Sequence, residues 1–415
     1  MKTILDVSLL GQGYYHQKAR TGVFRVVENL AKLLPTISPD LEIIFADNLD
    51  LLSTLGYIDE HLKNQNITFL NSKEQLSTAQ FQNRILSFFA HNSVPQKVVK
   101  RLFYQINTSK SHYQADKLTA ASLYHSPYFP IPTQIQADKQ LKKIITIHDL
   151  IPIKYPQYFE YKTDNVVHQI IKSIKPDNYA ICVSEATKND LIEITKLDES
   201  QIFVAPLAAS DTLFYPVLEQ DIIGYTLQKY DIPSNQPYFL SISTLEPRKN
   251  IDTIIKSFSE LVLQEKIQDL NLVLVGTKGW DFDKIFEIIA VSPQIKNRII
   301  FTGYVPDEDL AALYSGALCF VYMSLCEGFG LPPLEAMQCG TPVICSDTTS
   351  LPEVMGDAGI LVNPTDWVAI SQAMLNVYQN QPLRIELNQK SLQRASHFSW
   401  QKFADETWNV YQKIK

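Results

Sequence analysis

The chain has little glycine, little cysteine and no long apolar run. Only 14 of its 415 residues are Gly, which excludes collagen-like and glycine-rich repeat architectures. Its five cysteines lack the CxxC spacing of a metal site, and such usage is typical of a reducing cytoplasm. No stretch reaches the roughly 18 apolar residues of a membrane span. Asp6 interrupts the apolar N-terminus, so a signal peptide is not predicted.

Positive charge is also scarce. The formal net charge is -7, and a nucleic-acid partner is not expected because a polyanion is bound by a basic surface. The composition, 45% hydrophobic and 20% charged, is that of a globular protein. At 415 residues the chain is expected to form two or more domains and to work in the cytoplasm.

One stretch, residues 317–346, combines a strand, a glycine turn and a helix start. The apolar run 317–325 predicts a strand buried on both faces. Gly328-Phe329-Gly330-Leu331 follows, where the backbone can approach a ligand closely. Pro332 and Pro333 suit the first turn of a helix. Free N–H groups and the positive end of a helix dipole at this point predict a phosphate site.

Two carboxylates, Glu327 and Glu335, flank this turn. A carboxylate accepts hydrogen bonds from two neighbouring hydroxyls, so each is suited to a vicinal diol of a sugar or a ribose. The alternatives are that Glu335 only complements the helix dipole and that Glu327 is a solvated loop acid. Their joint position around one Gly-Phe-Gly-Leu-Pro turn favours ligand binding.

Other strand ends carry polar residues. In the first half, Ile4–Leu9 predicts a strand ending in a Gly11-Gln12-Gly13 loop, followed by a helix that opens at Gly22 and Arg25. The strand Lys143–Ile147 delivers His148 at its carboxyl end, where ligands bind in open α/β sheets. The alternative is a histidine that only caps its own loop.

The succession of strand, loop and helix seen in the first half begins again in the second half. A strand over Tyr238–Ser243 leads to Arg248 and Lys249, and two cations before a helix N-terminus offer charge to a diphosphate. The alternative is that both are solvated. Periodicity is lost over residues 208–216, which predicts the domain boundary there.

The spacing of Glu327 and Glu335 closely resembles the E-x7-E motif of retaining glycosyltransferases of family 4, which have the GT-B fold. The resemblance covers most of the chain and is strongest over residues 144–362. It implies an α/β protein with two Rossmann-like domains facing a central cleft. Residues 1–212 would form the acceptor-side domain and 213–399 the nucleotide-sugar domain, with a last helix, 400–415, packing back on the first.

The resemblance also implies roles for individual residues. It places the donor sugar on Glu327 with His148 beside it, the ribose on Glu335, and the diphosphate on Lys249 and Arg248. Many family members have this arginine several residues earlier, so Lys249 matches better. The other residues implied at the donor are Gly22, Ser184, Gly276, Tyr304, Val305, Gly328, Phe329, Gly330 and Leu331.

The function implied is transfer of a hexosyl group from a GDP- or UDP-hexose to a glycan or lipid-linked hydroxyl acceptor, with retention and without a metal or other cofactor. The loop 245–250 looks most like bacterial mannosyltransferases of polysaccharide assembly, which favours GDP-mannose. The alternatives are a two-carboxylate glycosidase, a phosphorylase or nucleotide-sugar epimerase of the same fold, and a non-catalytic binding subunit.

Two further segments have two interpretations each. Residues 94–104 form an amphipathic piece with Lys97, Lys100 and Arg101, which indicates either peripheral membrane contact at the inner face or a solvated helix face. Asp281-Phe282-Asp283 matches a D-x-D metal motif of another glycosyltransferase fold, but an apolar-periodic helix follows. The two acids are therefore predicted to cap that helix.

Overall fold

A computed structural model describes residues 1–15, 20, 22–62, 67–106, 112–159, 165–277 and 295–415. Its strands are short, and those at the sheet centres are apolar and buried on both faces, as parallel sheets require. The strands are β1 Lys2–Asp6, β2 Glu42–Ala46, β3 Thr68–Phe69, β4 Leu123–Ser126, β5 Lys142–Ile147, β6 Tyr179–Cys182, β7 Ile202–Val204, β8 Tyr238–Ile242, β9 Asn271–Val275, β10 Ile299–Gly303, β11 Cys319–Tyr322, β12 Val343–Ser346 and β13 Ile360–Val362.

Helices connect these strands and cover both sheets. Within the described residues they are α1 Ser8–Tyr15, α2 Gly22–Ile37, α3 Leu51–His61, α4 Lys73–Leu86, α5 Val94–Ile106, α6 Ala115–Ala120, α7 Thr133–Ala137, α8 Ile151–Lys154, α9 Val166–Ser173, α10 Glu185–Ile194, α11 Gln220–Lys229, α12 Ile251–Gln264, α13 Asp307–Gly316, α14 Leu331–Gln338, α15 Leu351–Met355, α16 Trp367–Gln379, α17 Gln381–Ala395 and α18 Trp400–Ile414. None of them is long and apolar enough to cross a membrane.

Strand order reverses once in each sheet. The first sheet runs β3-β2-β1-β4-β5-β6-β7 and the second β10-β9-β8-β11-β12-β13, with all pairs parallel. The prediction of two Rossmann-like α/β domains is confirmed. Ligands of such sheets bind beyond the carboxyl ends of the strands where the order reverses. In the second sheet this point lies between β8 and β11, whose loops carry Lys249 and Glu327.

The last helix, α18, lies against the first sheet. The Tyr411 hydroxyl is 2.6 Å from Nδ1 of the buried His125, whose Nε2 is 2.8 Å from the Thr146 hydroxyl. Burial lowers the pKa of His125 to about 3, so this imidazole is neutral and serves the core. The first sheet ends at Val204 and the second begins at Tyr238; a boundary near residue 212 stays a prediction.

The glycine loop predicted after β1 is wrong. Gly11 and Gly13 lie inside α1, which begins at Ser8, two residues after the strand ends, because the Asp6 carboxylate accepts a 2.9 Å bond from the Ser8 N–H. The glycines permit close packing: a Cβ at Gly13 would lie 2.1 Å from the Phe24 ring, and one at Gly11 2.7 Å from the Thr54 hydroxyl. They therefore serve helix packing and do not form a turn.

Candidate active site

The loop after β8 is fixed by one asparagine. Asn250 has the left-handed φ of 58° and stands where the short 3₁₀ turn Pro247–Lys249 meets α12. Its side-chain amide donates to the Met323 carbonyl at 3.0 Å and to the Pro364 carbonyl at 2.7 Å. These bonds join the loops after β8, β11 and β13, so Lys249 is held beside the end of β11.

Glu327 lies between two cations. Its Oε1 accepts hydrogen bonds from the Lys249 ammonium and from the Tyr322 hydroxyl at 2.8 Å. Its Oε2 is 3.2 Å from Nη1 of Arg248. Burial raises the pKa of Glu327, but the charges of Lys249 and then Arg248 outweigh it and lower the pKa to about 2. Glu327 is therefore a carboxylate at any working pH.

Arg248 contacts two carboxylates, whereas Lys249 contacts one. The Nε of Arg248 contacts a Glu246 carboxylate oxygen at 2.6 Å, and its Nη1 donates to the Cys326 carbonyl at 3.2 Å. The Lys249 ammonium, which is the more buried of the two cations, contacts Glu327 and Tyr322. Sequence reasoning missed Tyr322 and Glu246, because a tyrosine inside a buried apolar strand has the pattern of a core residue.

Gly328 lies against the other half of the protein. A Cβ there would be 2.0 Å from the His148 carbonyl oxygen. The Gly328 carbonyl accepts bonds from the Ser184 hydroxyl at 2.7 Å and the Thr187 hydroxyl at 3.0 Å. The Ser184 hydroxyl also caps α10 by accepting a bond from the Thr187 N–H. The glycine turn is therefore where the loops after β5, β6 and β11 meet.

His148 is neutral and oriented by the backbone. Its Nε2 lies 2.7 Å from the Pro127 carbonyl, a contact that requires a proton on Nε2. Burial lowers the pKa of His148 to about 4. The neighbouring Asp149 accepts a 3.1 Å bond from the Ile151 N–H at the start of α8. The structure thus brings His148 to the Gly328 turn, as the sequence-based expectation requires.

Glu335 is buried in the middle of α14, one residue beyond its first turn, and is bound across the cleft. Its Oε1 is 3.2 Å from Nη1 of Arg25 on α2, and its Oε2 accepts a 3.2 Å bond from the Tyr314 hydroxyl. Arg25 also contacts Asp307 at 2.6 Å. The predicted Gly22 is nearby: a Cβ there would lie 2.4 Å from Leu331. The first turns of α2 and α14 therefore touch.

Gly276, Tyr304 and Val305, which are also predicted at the donor, lie just beyond the ends of β9 and β10. Gly276 has a φ of 148°, and a Cβ there would lie 1.8 Å from the Ser243 carbonyl, so only glycine fits this strand end. Its N–H donates to the Gly303 carbonyl at 2.9 Å, beside the half-exposed Tyr304 and the buried Val305.

Phe329 and Gly330 of the glycine turn have roles in the fold itself. The Phe329 ring is buried and packs edge-on against Phe398 at 6.0 Å, so its side chain belongs to the core. Gly330, with a φ of 116°, is the N-cap residue of α14. The Asp281-Phe282-Asp283 motif lies outside the described residues. In the part of the chain that the structure describes, no three His, Cys, Asp or Glu side chains form a metal-type cluster.

Comparisons with known proteins agree with this arrangement. The family model "Glycosyl transferases group 1" matches residues 226–394. O-antigen chain mannosyltransferase B of Escherichia coli is 35% identical over 298 residues, which are 70% of this chain and 74% of that protein. O-antigen chain mannosyltransferase RfbU of Salmonella typhimurium is 31% identical over 238 residues, 57% of this chain and 60% of that protein.

A solved structure shares the fold over the whole length. That of Anabaena HepE in complex with UDP and glucose matches with a TM-score of 0.63 at 15% identity, and the match covers 99% of each chain. The parallel sheets with their reversals, the Glu327 and Glu335 turn and these matches lead to one assignment. The chain belongs to the glycosyltransferase group 1 family, which implies a nucleotide-sugar donor and a glycan acceptor, and its fold is GT-B.

Proposed function

We propose that this protein is a retaining mannosyltransferase that moves a mannosyl group from GDP-mannose to a hydroxyl group of a polysaccharide under assembly. The observation that carries the proposal is the position of Glu327 between Lys249 and Arg248 at the strand-order reversal of the second sheet. A permanent carboxylate suits sugar hydroxyls, and the two cations suit a diphosphate. The names of the two bacterial relatives support mannose as the sugar.

The negative charge that develops on the leaving group explains why two cations would be needed at this site. When the glycosidic bond to the donor breaks, negative charge grows on the departing diphosphate, and a preorganised cation lowers the energy of that transition state. Lys249 would supply this charge, with Arg248 holding the loop and Glu327 in place. The same two cations provide countercharge without a metal ion, so we propose metal-independent transfer.

We propose retention because Glu327 and His148 are both poor bases for an inverting transfer. Glu327 is ion-paired with a pKa of about 2, and His148 is a weak base with a pKa of about 4. Neither is tuned to take a proton near pH 7. In the front-side mechanism, the acceptor oxygen bonds to the anomeric carbon on the face that the diphosphate leaves. The acceptor's proton then passes to the leaving phosphate oxygen, and configuration is retained.

Nucleotide discrimination tests the donor assignment. Because a ligand stabilises the state that binds it, GDP should raise the thermal unfolding temperature by several degrees more than UDP or ADP at equal concentration. GDP-mannose with an O-antigen-type oligosaccharide should then give GDP and an α-linked product, identified by NMR. A shift by no nucleotide, or conversion of the nucleotide-sugar without any acceptor, would refute the proposal and favour a binding subunit or an epimerase.

We further propose that α5 contacts the cytoplasmic face of a membrane. Along this helix Val94, Val98 and Leu102 are spaced by four residues and are each more than half exposed. Lys97 and Arg101 lie exposed between them. Apolar side chains flanked by cations suit an anionic lipid surface. The five free cysteines are typical of the cytoplasmic side.

Vesicle binding tests this surface. Replacing Val98 and Leu102 by Asp should lower affinity for phosphatidylglycerol vesicles at least about tenfold, because two buried apolar side chains are worth several kcal/mol. Val368→Asp with Ile385→Asp is the matched control, since these side chains are equally exposed on α16 and α17. Equal loss in both variants, or no loss in the first, would contradict a role for α5. Co-sedimentation measures the bound fraction.

A further inference from the structure

Arg25 joins the two halves of the protein at the nucleoside end of the cleft. It lies on α2, and its guanidinium contacts Glu335 on α14 and Asp307 on α13. Asp307 begins the helix that directly follows the loop with Tyr304 and Val305. One cation thus binds the carboxylate assigned to the ribose and the helix that follows the loop implied at the donor.

The Arg25 guanidinium contacts three side chains. Its edge faces the two carboxylates at 3.2 and 2.6 Å, and its carbon lies 5.5 Å from the centroid of the Phe214 ring. The Arg25 side chain is only 14% exposed. The close approach of Gly22 to Leu331 places α2 beside α14, so the Arg25 side chain can reach Glu335. An ordered, buried guanidinium of this kind fixes the carboxylates that it contacts.

We infer that Arg25 is a positioning residue of the nucleotide site, which holds Glu335 in place as a carboxylate that accepts both ribose hydroxyls. The inference rests on the proposed function, because it takes Glu335 as the ribose ligand. Glu335 keeps lone pairs free when Nη1 and the Tyr314 hydroxyl occupy one on each oxygen. Arg25 therefore leaves room for a diol and need not depart when the nucleotide binds.

Without Arg25 the same pocket would disfavour the carboxylate. Burial raises the pKa of Glu335, Arg25 opposes this rise, and Asp307 adds to it. The groups that face Glu335 are Arg25 from α2, Asp307 and Tyr314 from α13 and the Cys339 thiol that follows α14. The thiol and the phenol are neutral, since burial raises the pKa of both. Arg25 is thus the cation that opposes Asp307 and burial, which even so leave the pKa of Glu335 above its usual value.

The experiment compares the pH dependence of GDP binding in wild type and Arg25→Gln by calorimetry from pH 5.5 to 8.5. Loss of the cation raises the pKa of Glu335, so the variant carboxylate protonates as pH falls and the diol loses an acceptor. The ratio of variant to wild-type dissociation constants should rise at least about tenfold toward pH 5.5 and return toward 1 at pH 8.5. The ratio cancels titration of GDP itself.

Three further variants sharpen the result. Arg25→Lys should restore most of the low-pH affinity, since it returns the charge. Asp307→Asn in the Arg25→Gln background should reduce the pH dependence, because it removes a like charge beside Glu335. Glu335→Gln should bind GDP weakly at every pH, and its pH profile should be insensitive to Arg25→Gln.

Each other outcome has a definite meaning. A constant ratio across pH in folded Arg25→Gln, or tighter GDP binding in that variant, would overturn the positioning role; the second would mean that Arg25 competes with the ribose. Wild-type affinity in Glu335→Gln would instead overturn the ribose assignment of the proposed function. Thermal unfolding of each variant establishes that it is folded.

Discussion

Glu327→Gln should lose sugar transfer by at least about a hundredfold while GDP binds no more weakly than to the wild type. The variant removes the charged acceptor for the sugar hydroxyls, an interaction that strengthens as the transition state forms. It also frees Lys249 and Arg248 from their carboxylate, so both cations become more available to the diphosphate. Steady-state kinetics with GDP-mannose and calorimetry with GDP measure the two quantities separately.

Glu246→Gln is the matched control for this variant. Both substitutions remove a carboxylate from Arg248, but only Glu327 also contacts Lys249 and Tyr322. Transfer by Glu246→Gln should stay within a few fold of the wild type. Because breaking a buried ion pair costs about 3–5 kcal/mol, thermal unfolding must show that Glu327→Gln is folded under assay. Near-normal turnover in that variant would contradict a sugar-binding role for Glu327.

The pH dependence gives the same assignment a second readout. The pKa of Glu327, about 2, is depressed in the folded protein, so its charge contributes stability above the unfolded-state pKa near 4.3 and loses it as pH falls toward 2. The carboxylate stays ionised across the assay range. Transfer should therefore show no acidic limb from this residue above about pH 5.

Local patterns made much of the site predictable from sequence. The strand β11, the glycine turn and the first turn of α14 are contiguous, so their spacing alone places Glu327 and Glu335 at one end of the second sheet. The loop with Lys249 joins them because β8 and β11 are neighbours in the sheet. Family resemblance implied the two Rossmann-like domains, whereas the strand order comes from the structure.

Contacts across the cleft could not be predicted in the same way. Arg25 and Glu335 are 310 positions apart, and no periodicity of the sequence shows which helices of two domains will face each other.

The glycines after β1 were misread for a related reason. Gly11 and Gly13 look like a turn, but their lack of a side chain serves the packing of α1 against Thr54 and Phe24. Packing of this kind is a property of the tertiary structure.

Lys249→Met should lower kcat by about a hundredfold to a thousandfold, the cost of removing one preorganised transition-state donor, with a smaller change in GDP affinity. The charge of the leaving diphosphate grows during bond breaking, so a cation at this place affects turnover more than ground-state binding. Arg248→Met should cost less, because the charge of Arg248 is already offset by a second carboxylate, Glu246. Lys256→Met, an exposed lysine over the Trp367 ring, is the control and should be neutral.

The same argument predicts the response to metal removal. If Lys249 and Arg248 supply the countercharge of the diphosphate, transfer by the wild type should persist in excess EDTA, and Asp281→Asn with Asp283→Asn should leave turnover nearly intact. Loss of activity on chelation, restored by Mg²⁺ or Mn²⁺, would contradict metal-independent transfer and with it the role given to the basic loop.

Greater loss of kcat in Arg248→Met than in Lys249→Met would reverse the roles of the two cations. In that case the ion pair with Glu246 would be what aligns the catalytic charge, and Lys249 would chiefly hold Glu327.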